Sequence, residues 1–268
     1  MEGQVEPSVA LESPPPKSPA VETVAEVWHT VVLLLIIGVW FYFGNLRIQH
    51  LRLNPGFSHI THYIFMILWD SAVVGFVAWG VHRRGGSLRM LTGGRWNSAK
   101  NVFVDLGVAA SFWFASIFVL GFLRLALSSL ETSPAARIAQ TVQSPQGSRG
   151  FQVPHSLDFL APRNGGEILA WIALCIVIGF SEELIFRGYL QRQLSAWTNV
   201  PIGLILSAVL FGVGHRYQGK VSSVVLGVYG LFFGILAEKR KSLRPGMLAH
   251  AWHDTISGLI VSLLRHFR

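Results

Sequence analysis

Residues 168–180 read ILAWIALCIVIGF, and residues 181–187, which follow directly, read SEELIFR. The first stretch contains no charged side chain, and in lipid the backbone amides of such a run must be satisfied within the segment, which predicts a helix. Two adjacent glutamates then follow without an intervening loop. A charge at bilayer depth costs about 3 kcal/mol on insertion scales. The polar residues inside the apolar runs are therefore the first place to look for function.

The rest of the chain has the same apolar character. Of its 268 residues 51% are hydrophobic and 13% are charged, whereas an ordinary soluble domain has about 25% charged residues. This composition argues against a soluble enzyme and for a polytopic membrane protein. The formal net charge is +8, which suits basic loops beside anionic lipid headgroups, so no nucleic-acid partner is expected. The single cysteine excludes a secreted domain held together by disulfides.

Seven apolar runs predict the membrane helices. They cover residues 27–44, 59–81, 102–126, 167–194, 201–214, 222–237 and 245–264. The predicted fold is an all-α polytopic transmembrane bundle of about seven spans, or eight helices if residues 151–153 form an interfacial one. This would be a multi-pass integral membrane protein, in the cell membrane if the source is bacterial.

Three regions are predicted along the chain. Residues 1–25 are acidic and rich in proline, which is typical of a disordered tail. Residues 26–165 would hold the N-terminal membrane helices and a long polar loop. Residues 166–268 would form the membrane domain that carries the chemistry, because most embedded polar residues lie there.

The first group of embedded polar residues is Glu182, Glu183 and Arg187. On a helix, Glu183 and Arg187 are four residues apart and share a face, so we expect an ion pair. Glu182 is rotated by about 100° from Glu183, and that pair does not neutralise it. Glu182 is therefore a candidate general base. A solvated helix end with an acidic pair and a basic residue is the alternative.

Two further groups follow. Phe211 and His215 stand at the end of the fifth run, where a histidine can be an interfacial cap or a functional group. His250 and Asp254 are four residues apart in the seventh run, with His253 near the same face. Two imidazoles and a carboxylate within a span predict function, or else a buried hydrogen-bond network.

Together these groups allow two kinds of hydrolytic site. In one, Glu182 and His215 activate a water molecule while His250 and Asp254 polarise the scissile carbonyl. In the other, Glu182, His215 and His250 hold one divalent metal such as zinc, with an open position for water. The chain has no HExxH motif, which excludes a zincin helix. Metal-dependent and metal-independent catalysis both stay open.

At these motifs the chain resembles the CAAX protease and bacteriocin-processing (CPBP) family, which includes the type II CAAX prenyl endopeptidases. The family pattern is EExxxR, then FxxxH, then HxxxN or HxxxD. Here it is matched by Glu182-Glu183 with Arg187, by Phe211 with His215, and by His250 with Asp254. The resemblance covers roughly residues 166–265, and its three motifs occur in the family's order.

The resemblance implies an intramembrane endopeptidase whose substrate is a membrane-associated peptide or protein, lipid-modified ones included. It implies that Glu182 and His215 activate the attacking water and that His250 and Asp254 stabilise the oxyanion. Glu183 and Arg187 would orient the site. Asp254 stands where many members have asparagine, and His253 lies outside the pattern, where we expect a supporting role. Two other functions fit this scaffold: a non-proteolytic immunity or binding protein, and a cation or proton transporter.

Overall fold

The computed structural model describes residues 22–54, 56–131 and 159–265. Within these ranges the secondary structure is helical throughout, with no strand, which confirms the predicted all-α fold. The interfacial element expected at residues 151–153, and the acidic tail up to residue 21, lie outside the described residues.

Nine α-helices, a π-helix and a short 3-10 turn follow one another in the described chain. The first four α-helices are α1 (Val27–Leu53), α2 (His59–Arg83), α3 (Leu88–Thr92) and α4 (Ala99–Glu131). A continuous rod follows, made of α5 (Gly165–Glu182), the π-helix (Glu183–Leu190) and α6 (Gln191–Trp197). The chain then forms α7 (Val200–Gly214), the 3-10 turn (Arg216–Gln218), α8 (Lys220–Arg240) and α9 (Arg244–Arg265).

Five helical segments of the described chain are long and apolar enough to cross a membrane. They are Val27–Leu51, His59–Arg83, Ala99–Leu130, Gly165–Trp197 and Lys220–Arg240. The other two predicted spans are helices of a different kind. The 15-residue α7 is apolar but short, and α9 carries His250, His253 and Asp254 in its middle. The chain is a multi-pass integral membrane protein.

Local sequence explains where the motif helices begin. Asn164 caps α5 by accepting the backbone N–H of Glu167, and Asn199 caps α7 by accepting the N–H of Ile202 at 3.0 Å. Asparagine is among the preferred N-cap residues. Pro201 stands in the first turn of α7, where its missing N–H costs no hydrogen bond.

The rod that begins with α5 is the centre of the bundle. It packs against α2 on one side and α9 on the other, while α8 packs against α7 and α4. The residues just before α1 are hydrogen-bonded to α6, the C-terminal part of this rod. There the Gln193 carboxamide oxygen accepts the backbone N–H groups of Val24 at 2.8 Å and Ala25 at 3.1 Å.

Gly179 sets the distance between α5 and α9. A Cβ atom at this position would lie 2.6 Å from the backbone nitrogen of Ala251, so the two backbones touch where Glu182 and His250 must meet. Gly179→Ala should force the helices apart and lower the stability by about 1–3 kcal/mol. Thermal unfolding of the purified protein in detergent measures this.

Gly121→Ala is the matched control for Gly179→Ala. Gly121 lies on the long helix α4, and a Cβ atom there would have nothing within 4 Å. Its melting temperature should stay at or above that of the wild type, because alanine is the better helix former. Equal melting temperatures for the two variants would show that the contact at Gly179 is not tight.

Candidate active site

The ion pair predicted between Glu183 and Arg187 is present. The Arg187 Nη1 lies 3.0 Å from Glu183 Oε1, and both side chains are only 1% exposed. The guanidinium lies over the ring of Phe211 at 4.2 Å from its centroid. Gly230 of α8 leaves room for it, because a Cβ atom there would be 2.9 Å from Arg187 Nη2. A large cation is thus held inside the bundle by one carboxylate and by aromatic surface.

Glu183 also binds His250. The His250 Nδ1 lies 3.0 Å from Glu183 Oε1, so the ring donates Nδ1–H to this buried carboxylate. The outcome is a chain of contacts, Arg187 to Glu183 to His250, that links the central rod to α9. The contact fixes the rotation of the imidazole and directs its Nε2 to the opposite side.

Two more carboxylates face the other side of the His250 ring. The Nε2 atom lies 3.6 Å from Glu182 Oε2 and 3.7 Å from Asp254 Oδ2. These distances are longer than a hydrogen bond. The Glu182 Oε2 is buried and has no hydrogen-bond partner among the described residues. One oxygen of Glu182 is therefore uncommitted beside an imidazole, whereas Oε1 of the neighbouring Glu183 contacts both Arg187 and His250.

The helix type changes between Glu182 and Glu183. The rod becomes a π-helix from Glu183 to Leu190, directly after Glu182, the last residue of α5. Single-turn π-helical segments inside α-helices are frequent at functional sites. Glu183 and Arg187 of the motif lie on this segment, and all eight of its residues are buried.

His215 follows directly after α7. Its Nδ1 lies 2.8 Å from the carbonyl oxygen of Phe211, and because a carbonyl only accepts, Nδ1 must carry the proton. In the neutral ring Nε2 is then an acceptor. The Phe211 of the FxxxH motif thus has two roles: its carbonyl fixes the tautomer of His215, and its ring supports Arg187.

Glu182, His215 and Asp254 all line one internal cavity of about 190 Å³. Three elements that are far apart in sequence, α5, the end of α7 and α9, therefore converge, as the motifs predict. His250 stands beside this wall, and its ring stacks on Phe233 at 5.2 Å. His253 packs edge-on against Tyr229 at 5.1 Å, outside the cavity wall. The arrangement places an uncommitted carboxylate oxygen and a histidine that can accept a hydrogen bond at the same small space.

The alternative of a zinc site predicts that Glu182, His215 and His250 converge on one ion. Among residues 22–54, 56–131 and 159–265, no group of three or more His, Cys, Asp or Glu side chains is arranged to hold a metal ion. The one hydrogen bond recorded for His250 Nδ1 goes to Glu183, and Asp254 is as near to its Nε2 as Glu182 is. These residues do not fit a metal in this geometry, and no step below is derived through one.

Much of the cavity wall comes from α1 and α2, helices in which the sequence carries no recognisable motif. Trp40, Phe41 and Arg47 of α1 and His62 and Tyr63 of α2 line it. His62 lies near the start of α2, a position that in the sequence alone is typical of an interfacial histidine. A wall residue of this kind is one aromatic or polar side chain in an apolar helix, and no spacing rule separates it from residues that face lipid.

Asp70 and Asp105 are embedded carboxylates outside the three motifs. The burial of the Asp105 carboxylate is explained by two ion pairs, with Arg240 at 3.3 Å and with Arg244 at 3.2 Å. Asp70 of α2 is 9% exposed, and its Oδ2 has no hydrogen-bond partner among the described residues.

Comparison with known protein families finds a similarity in this part of the chain. Residues 164–256 match the family model described as "Type II CAAX prenyl endopeptidase Rce1-like". The C-terminal region is Rce1-like. The predicted resemblance to the CAAX protease family is thereby confirmed. Helices α1 to α4 lie outside the Rce1-like region. Neither the curated proteins nor the solved structures contain a significant match to the chain.

The Rce1-like match supports an intramembrane endopeptidase of the CAAX-protease type. It also implies a peptide or protein substrate in or at the lipid bilayer. All three motifs, including His250 and Asp254, lie inside the matched range.

Proposed function

We propose that the protein hydrolyses a peptide bond of a membrane-associated peptide or protein, with Glu182 as general base and His215 as its partner. The observation that carries the proposal is the cavity in which Glu182, His215 and Asp254 meet. The proposal does not depend on whether the substrate carries a lipid.

Glu182 and His215 supply two hydrogen-bond acceptors for one water molecule. The Glu182 side chain lines the cavity and is 23% exposed, and the His215 Nε2 is an acceptor because Nδ1–H is used by Phe211. A water that donates one O–H to each presents its lone pair to a substrate carbonyl carbon. As the C–O bond forms, the proton passes to Glu182.

His250 is the proposed donor to the oxyanion. Its Nδ1–H is held by Glu183, so a second proton on Nε2 points to the side of the ring where Glu182 lies. Three carboxylates within 3.7 Å, those of Glu182, Glu183 and Asp254, compensate a positive charge on this ring. A donor placed where negative charge develops contributes to catalysis in a site shielded from water.

Asp254 has a different role in this scheme from the one that the resemblance implies. A carboxylate 3.7 Å from His250 Nε2 balances the charge of the imidazolium and does not itself donate to an oxyanion. When the tetrahedral intermediate breaks down, Glu182 returns its proton to the leaving amine. The oxyanion re-forms the C=O bond as the C–N bond breaks, which gives an amine and a carboxylic acid and leaves Glu182 ionised again. The acid then passes its proton to the amine or to water and becomes a carboxylate.

A cleavage assay with purified full-length protein in nanodiscs tests the proposal. The substrate is a set of fluorogenic membrane-anchored peptides, each in a farnesylated and an unmodified form. We expect cleavage at one bond, with one ¹⁸O atom from labelled water in the new carboxylate. The same assay with 1,10-phenanthroline tests the zinc alternative, and the scheme above predicts that the rate is unchanged.

Failure to cleave any peptide of the set would contradict the proposal. Cation or proton flux in liposomes without cleavage would instead favour a transporter. A phenotype in cells that survives Glu182→Gln would favour a binding or immunity protein.

A further inference from the structure

The internal cavity is too small to hold a peptide substrate as it stands. Its volume is about 190 Å³, whereas sites for drug-sized ligands commonly have about 300–1,000 Å³. Trp171 lies in its wall eleven residues before Glu182 on the same helix, which is about 16 Å along the axis. The cavity therefore extends well beyond the catalytic residues but is narrow. Part of its wall must move before a peptide reaches Glu182.

A non-helical segment forms part of the cavity wall at the end away from Glu182. Residues 159–164, which precede α5, are here called the strap. Two of its residues, Leu160 and Ala161, line the cavity and are buried. Most of the other wall residues lie on helices, whose backbones are fixed by their own hydrogen bonds. The strap is therefore the part of the wall that can move without unwinding a helix.

Side chains of two other helices bind the backbone of the strap. Three consecutive carbonyl groups each accept a hydrogen bond from α2 or α9. The pairs are His59 Nε2 with Phe159 at 3.0 Å, Tyr63 Oη with Leu160 at 2.5 Å, and Arg265 Nη1 with Ala161 at 3.2 Å. The strap thus crosses from the start of α2 to the end of α9 and is held there through its main chain.

The C-terminal end of the strap is anchored by Glu167. Its Oε2 lies 2.7 Å from His59 Nδ1 and accepts the backbone N–H of Arg163 at 2.8 Å. The carboxamide of Asn164 caps α5 by accepting the N–H of Glu167. These contacts keep one end of the strap at the start of α5 while the rest of it lies across the cavity.

The apolar packing of the strap is small by comparison. Ala161 belongs to a minor cluster with Val261 and Leu264 of α9, separate from the two large clusters that hold the helices together. Segments with few buried apolar contacts open at a lower free-energy cost than core helices. The strap is therefore closed mainly by hydrogen bonds, which another peptide backbone can replace.

We propose that the strap closes this end of the cavity and that a peptide substrate displaces it to reach Glu182. The inference rests on the proposed function and adds the step that admits the substrate. When the strap lifts, the Tyr63 hydroxyl and the His59 Nε2–H lose their carbonyl acceptors. Carbonyl groups of the incoming peptide take their place, so the hydrogen bonds are exchanged and the open state is stabilised by the substrate.

Cysteine labelling of the strap measures its opening without catalysis. The only native cysteine, Cys175, is replaced by alanine, and Ala161→Cys puts a thiol at a position that is 1% exposed. Labelling by a maleimide in nanodiscs should be slow. Tyr63→Phe, which removes the donor to Leu160, should make it about five-fold faster, the effect of losing one ordinary hydrogen bond. Hydrogen exchange of the strap amides gives the same comparison without a substitution in the strap.

Tyr42→Phe is the matched control for Tyr63→Phe. Tyr42 lies on α1, is 65% exposed and is not part of the cavity wall. The rate of labelling at position 161 should be the same as without this substitution.

A disulfide across the strap tests whether opening is needed for cleavage. Ala161 and Val261 pack together, so Ala161→Cys with Val261→Cys in the Cys175→Ala background can be oxidised to a cross-link. We expect oxidation to lower the cleavage rate about ten-fold or more, as for a closure that gates substrate entry, and dithiothreitol should restore it. Oxidation of the single Ala161→Cys variant should have no such effect.

Equal labelling and equal hydrogen exchange in the Tyr63→Phe and Tyr42→Phe proteins would overturn the proposed role of the strap. Full cleavage by the cross-linked protein would overturn it as well. A wild-type protein that cleaves no peptide, but in which labelling depends on Tyr63, would count against the proposed function alone.

Discussion

Replacing Glu182 by glutamine should lower the rate of peptide cleavage by about a thousand-fold, the range expected when a general base is removed. The glutamine has nearly the same shape but cannot take a proton from water. The fold should be unaffected, because Glu182 Oε2 has no hydrogen-bond partner among the described residues and the side chain is 23% exposed. Initial cleavage rates and melting temperatures in the same detergent measure the two effects separately.

Glu238→Gln is the matched control for this substitution. Glu238 is a carboxylate near the end of α8, where it accepts from Gln191 at 3.2 Å and from Lys241 at 2.8 Å, outside the cavity. Its cleavage rate should stay within about two-fold of the wild type, as for a surface substitution distant from the site. A Glu182→Gln protein that cleaves at a similar rate would refute the role of Glu182 as base.

The sequence predicts the pairing of Glu183 with Arg187 because both residues are on one helix. Spacings of three and four residues define shared faces by helix geometry alone. The convergence of Glu182, His215 and His250 could be predicted for a different reason. Charged and polar groups are too costly to leave facing lipid, so embedded groups on separate helices are expected to meet inside the bundle.

Other features have no signal in a single sequence. The π-helix from Glu183 to Leu190 differs from an α-helix only in its hydrogen-bond register, and the same residues would form either. The contact of Glu183 with His250 joins two helices, and no spacing rule predicts it. Sequence alone assigns His250 and Asp254 jointly to the oxyanion, whereas the structure places His250 between Glu183 and the carboxylates of Glu182 and Asp254.

Hydropathy alone does not decide whether α9 belongs to the membrane bundle. The run at residues 245–264 is predicted as a span, yet α9 is not apolar enough to qualify by composition. It is stable inside the bundle because its polar residues, His250 above all, face buried partners on the rod. Long-range packing of this kind is a property of the pair of helices and not of either segment.

Replacing Glu183 by glutamine should lower the stability of the protein as well as its activity, whereas the change at the neighbouring Glu182 should lower the activity alone. Glu183 is 1% exposed and is the common partner of Arg187 and His250. Its removal leaves Arg187 buried with no carboxylate beside it, and breaking a buried pair in this way costs about 3–5 kcal/mol. We expect a large fall in the melting temperature, and activity should be lost as well because His250 is no longer fixed.

A second substitution separates a structural effect from a chemical one at Glu183. In the double variant Glu183→Leu with Arg187→Met both charges are absent, and apolar replacements of a buried pair are often close to neutral in stability. The double variant should therefore melt well above either single variant and yet remain inactive, since His250 Nδ1 has lost its acceptor. If Glu183→Gln instead melts like the wild type, the ion pair does not stabilise the bundle, and Glu183 must act in the reaction itself.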